Sequence, residues 1–145
     1  MITKKLPSDP TCTCLATATL TGGSTICNGG SANLSVALAG TQPWSITYTD
    51  GVTPVTISGI TSSPYLITVS PSSNKTYSLT SVTDANCTGT ATGTASVVVT
   101  PKPTATLSGA ATICNGNSTN LSVVLTGTQP WSIVYSNGVT TSSIS

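Results

Sequence analysis

ICNGGSANLSVALAGTQPWSITYTDG, from Ile26 to Gly51, decides how this chain folds. Asn28-Gly29-Gly30 is a turn signal. Asn33 to Ala39 then alternates, with Leu34, Val36 and Leu38 on one face. Gly40 to Pro43 turns the chain, and Trp44, Ile46 and Tyr48 share a face opposite Ser45, Thr47 and Thr49. Asp50-Gly51 is a hairpin signal. Two half-buried strands joined by tight turns are the unit of an all-β fold.

The same logic places strands at Ala16 to Leu20 with a continuation at Ser24 to Cys27, and at Val52 to Ile60, Tyr65 to Val69, Thr76 to Val82 and Thr94 to Thr100. Pro54 puts Val52 to Ile60 at a sheet edge, because proline cannot donate to a central ladder. Val82 breaks the parity set by Tyr77 and Leu79, which predicts a bulge or a strand end there. Asp84 to Gly93 reads as a polar, glycine-containing loop. About seven short strands in roughly 85 residues predict an all-β, two-sheet β-sandwich, with a small barrel as the competing topology.

That unit recurs. Ala18 to Ser58 aligns without gaps to Ala105 to Ser145, with 28 of 41 positions identical at a constant offset of 87. GTQPW occurs at Gly40 to Trp44 and again at Gly127 to Trp131. A period this long suits a tandem array of small domains better than a solenoid. The expected organisation is an atypical N-terminal segment at 1–15, a complete repeat at 16–100, a Pro-rich linker at 101–104 and a truncated second repeat at 105–145. Pro101-Lys102-Pro103 makes a stiff, extended spacer.

Composition narrows the function classes. Of the 145 residues, 30 are Thr and 22 are Ser, and there is no His. Only 5% are charged, against roughly 25% in an average soluble protein. Serine and threonine therefore have no imidazole partner in this chain to activate them. Four basic residues and a net charge of +1 make neither a nucleic-acid groove nor a polybasic membrane patch. No apolar run approaches a membrane span, and no apolar core follows Lys4 and Lys5 to form a signal peptide. No cofactor and no metal site are expected. Five cysteines in so uncharged a chain point to an oxidising, extracellular compartment.

The cysteines define the expected staple. Cys27 and Cys87 lie in the complete repeat, and a bridge between them would contribute about 4 kcal/mol through loop closure. Cys114 repeats Cys27, and the counterpart of Cys87 would fall past Ser145, so Cys114 is expected to be unpaired by truncation. Cys12 and Cys14 form a C-x-C absent from the second copy and are assigned to a preceding segment or cap.

Trp44, Tyr48, Tyr77, Trp131 and Tyr135 fall in phase with aliphatic residues and read as core aromatics. An exposed Trp44 would instead be a sugar-stacking platform. Asp50 and Asp84 are the acids of the complete repeat, and two carboxylates can hydrolyse glycosides. Asp50, however, is Asn137 in the second copy, a swap that turn chemistry explains and catalysis does not. A calcium site at Asp84 and Asn86 would be poor in ligands. Asn33, Asn74, Asn86, Asn117 and Asn120 match the glycosylation pattern in a chain rich in Asn and Thr.

The run from Ile26 to Gly51 resembles the immunoglobulin-like and polycystic-kidney-disease-type repeats of large surface proteins of gliding and environmental Bacteroidetes. So do SSPYLITVSP (Ser62 to Pro71), KTYSLTSVTDANCTGTATG (Lys75 to Gly93) and ASVVVTPKP (Ala95 to Pro103). The resemblance implies type IX secretion, surface attachment and a non-catalytic structural or adhesive role. The partners it implies are neighbouring repeats, surface glycans or other surface proteins. The alternative is a carbohydrate-binding module of a secreted polysaccharide-degrading enzyme.

Overall fold

Strand formation follows the alternating pattern, and the computed structural model describes residues 14–145. The chain divides after Thr100 into two compact units. The first holds nine strands, two more than the sequence count: β1 (Thr17–Thr21), β2 (Ser24–Cys27), β3 (Ala32–Ala39), β4 (Trp44–Thr49), β5 (Pro54–Ile60), β6 (Tyr65–Val69), β7 (Lys75–Thr83), β8 (Thr90–Thr92) and β9 (Thr94–Thr100). They form a four-stranded sheet in the order β6-β3-β1-β8 and a five-stranded sheet in the order β2-β9-β7-β4-β5.

Both sheets bury one face in a shared core, giving a sandwich-like unit. Leu20, Leu34, Val36 and Ile67 come from one sheet, and Trp44, Ile46, Tyr77, Val82 and Val97 from the other. Among the described residues no polar or charged one is buried. The hydroxyls stay outside and pair across strands, as in Ser45–Ser58 (3.0 Å), Thr47–Thr56 (2.9 Å) and Thr76–Ser96 (3.1 Å). Such cross-strand pairs cover the outer face and contribute roughly 0.2–1 kcal/mol each.

Pro54 opens β5, which is an edge strand. The parity break before Val82 is a bulge: Thr47 pairs Ser81 while the next residue, Tyr48, pairs Leu79. Thr80 is the extra residue, and its hydroxyl donates to the Thr47 carbonyl at 3.1 Å. The extra residue restores Val82 to the core side.

The first and last strands of the unit lie side by side and run parallel. β1 pairs β8 with Thr17 opposite Thr90, and β2 pairs β9 with Ser24 opposite Val97. Both pairings keep the same offset of 73 residues, so one parallel ladder crosses from one sheet to the other. Gly89 and Gly93 allow this close approach. A Cβ on Gly89 would stand 1.8 Å from the Ala16 carbonyl oxygen, and one on Gly93, whose φ is +92°, 2.2 Å from that of Leu20. β8 lies in the stretch expected to be loop. Thr90, Ala91 and Thr92 are too short a run to show a pattern, and pairing with β1 makes them a strand.

The second unit has β10 (Thr104–Ser108) paired with β11 (Ser122–Thr126), and β12 (Ile133–Ser136) paired with β13 (Thr141–Ile144). Thr104 faces Thr126 as Thr17 faces Ala39, and Ile133 faces Ile144 as Ile46 faces Ile57. None of its residues is buried. Leu20 is 1% exposed whereas its equivalent, Leu107, is 61% exposed. Nearly the same strand sequence therefore stands in two burial states.

Candidate functional site

The disulfide corrects the expected pairing: Cys87 is bonded to Cys14, not to Cys27. Their sequence separation is 73, the offset of the parallel ladder, and their Cα atoms are 5.9 Å apart. The bridge therefore continues the β1/β8 register just outside its strands. Cys27 occupies the far end of that ladder, opposite Thr100. β1, the rest of β2 and the sheet change between them separate it from the bridged end. Cys27 and Cys114 are free and exposed. Cys12 lies outside the described residues, and Cys14 belongs to the first unit rather than to a separate cap.

Asp84 holds the bridged loop. Its Oδ1 accepts the N–H groups of Asn86 (2.8 Å) and Cys87 (2.9 Å), and its Oδ2 accepts that of Thr41 (2.9 Å). The Ala85 N–H also donates to the Thr41 carbonyl at 3.1 Å. The carboxylate thus ties the Cys87 loop to the GTQPW turn. The N–H groups of Thr41, Asn86 and Cys87, in that order, hold its pKa below the usual value.

Asp50 does different work at the other end of β4 and β7. Its Oδ1 accepts the N–H groups of Val52 and Thr53, both at 3.0 Å, and its Oδ2 pairs with Lys75 Nζ at 2.8 Å. Lys75 first, then those two N–H groups, push its pKa far below the carboxylate range. In the second unit Asn137 Oδ1 accepts from Val139 (3.0 Å) and Thr140 (2.8 Å), building the same turn without the charge. The two acids are separated by the length of a strand pair, roughly 15–20 Å. Glycosidic acid–base pairs stand about 5–9.5 Å apart.

An open groove of about 430 Å³ lies beside Asp50. Tyr48, Asp50, Thr53, Val55, Lys75 and Tyr77 form one wall, and Thr68, Val69 and Ser70 to Ser72 form the other. The Tyr48 and Tyr77 rings are 6.4 Å apart and tilted by 50°. Burial first, and then the Asp50 charge, raise the Tyr77 pKa above that of a free phenol. Lys75 was not singled out in the sequence, although it is the lone basic residue of the complete repeat.

Of the aromatics, Trp44 is 5% exposed and Tyr77 is buried, while Tyr48 packs at the core margin. Trp44 thus presents no stacking platform. Trp131 is half-buried and Tyr135 is 52% exposed, so neither sits in a closed core as expected from the repeat.

Residues 21–97 match the family described as Nucleoporin POM152, Ig-like domain. No curated protein matches the chain.

Proposed function

Because the chain belongs to the Ig-like domain family described for nucleoporin POM152, we propose that it is a non-catalytic structural or adhesive repeat of a secreted cell-surface protein. The family speaks for the fold; the compartment is argued from the disulfide and the low charge. The observation that carries the reading is a disulfide-closed module in a tandem repeat with a Pro-Lys-Pro junction. Such a module holds distance without needing a reactive centre. Its partners are neighbouring repeats of the same polypeptide and surface glycans or proteins, and its export follows the type IX route of the surface proteins it resembles.

The groove walled on one side by Tyr48 and Tyr77 favours a second reading, a carbohydrate-binding module of a secreted polysaccharide-degrading enzyme. Affinity electrophoresis of the full chain through gels containing soluble polysaccharides separates the two. Unretarded migration in every gel agrees with the spacer. Retardation abolished by Tyr48→Ala overturns it in favour of the module.

A further inference from the structure

We infer that the Cys14–Cys87 bridge makes the first unit a covalent strut that passes tension along its last strands and bypasses the rest of the fold. Tension drawn along the chain enters the unit at Cys14 and leaves at Thr100. The shortest covalent route between them runs through the disulfide to Cys87 and then along β8 and β9. Residues 15–86 form a closed loop off that route.

The ladder register sets the length of this route. Because the bridge keeps the 73-residue offset of β1/β8 and β2/β9, Cys14 starts beside Cys87 and Cys27 ends beside Thr100. Of the thirteen residues after Cys87, ten already lie extended in β8 and β9, and fully stretched the thirteen reach about 47 Å at most. Load taken through the bridge can therefore straighten the turn at Gly93 between β8 and β9, and cannot part Cys14 from Thr100 beyond that covalent length and the bridge itself. A Cys27–Cys87 bridge would lack this property, because its closed loop would leave Cys14 to Cys27 free to peel from β9. In the second copy Pro101 stands where Cys14 stands in the first, so that unit lacks the equivalent cysteine.

The spacer reading is needed only to say where tension comes from, and the two fail separately. Polysaccharide binding would overturn the spacer and leave the lengths below unchanged. Unequal lengths would stand whatever the chain adheres to.

The test is single-molecule stretching of the full chain, held at its two ends between reference domains, before and after dithiothreitol. The dithiol reduces the S–S bond to two thiols and is itself oxidised to its cyclic disulfide. The fully stretched reduced chain should be longer by about 260 Å, the 73 bridged residues at about 3.6 Å each. The second unit's 45 residues release at most about 160 Å, so the two are distinct. Cys14→Ser should show the long contour without reductant whether or not it folds, and Cys27→Ser should leave the short one. Equal contours before and after reduction, or a short contour in Cys14→Ser, would overturn the strut.

Discussion

Gly93→Ala and Gly51→Ala separate backbone strain from strand contact. Gly93 has φ +92° and Gly51 has φ +91°, so a Cβ meets the same conformational cost at both, about 1–2 kcal/mol. Their surroundings differ. Nothing lies within 4 Å of a Cβ at Gly51, whereas one at Gly93 would stand 2.2 Å from the Leu20 carbonyl oxygen. An ordinary carbon–oxygen contact is about 3.3 Å, so β1 and the last strands must part by about 1 Å. Two backbone hydrogen bonds lost there cost roughly another 2 kcal/mol. Gly93→Ala should therefore cost about 3–4 kcal/mol and Gly51→Ala about 1–2 kcal/mol. Urea unfolding of the full chain, followed by Trp44 fluorescence in a Trp131→Phe background, measures both. Equal midpoints would refute the reasoning, because the β1/β8 contact would then contribute nothing.

Trp44→Ala should cost about 3–5 kcal/mol, since it empties a site in the shared core, and urea unfolding followed by circular dichroism reads it. Asp50→Asn keeps the turn, as Asn137 shows, and should lower the melting temperature only by the exposed Lys75 pair, whereas Asp84→Asn should lower it further. The reverse order in thermal melts would contradict the roles assigned here. Both acids have folded pKa values below their unfolded value, so their stabilisation is present above about pH 4 and lost as pH falls through the folded values. Lys75→Met removes the largest cause of the Asp50 depression and should move the acid transition to higher pH, as followed by circular dichroism. The raised Tyr77 pKa acts at the other extreme. Stability is full below about pH 10 and falls as pH rises through the folded value, and Tyr77→Phe should reduce that alkaline loss in urea titrations.

Alternation exposed most strands because each is buried on one side only. Leu34, Val36 and Leu38 in β3, and Ile67 and Val69 in β6, stand on the core face that their spacing indicates. The bulge before Val82 was legible for the same reason, as was the turn role of Asp50, through its replacement by Asn137. The bridge was not. Its partner is set by the parallel register of β1 and β8, two short strands whose pairing leaves no periodic trace. Lys75 and the tyrosine groove were missed because they join residues from β4, the β4–β5 turn and β7. The second unit shows the limit most plainly. Its pattern nearly repeats that of β1 to β5, yet burial depends on neighbours that the pattern does not contain.

Peptide mapping of the unreduced chain, alkylated before digestion, tests the parallel terminal ladder most directly. The account predicts a disulfide-linked pair of peptides whose fragmentation places the bond at Cys14 and Cys87, with Cys27 and Cys114 alkylated. A bond between Cys27 and Cys87 would contradict the 73-residue register and the strut built on it.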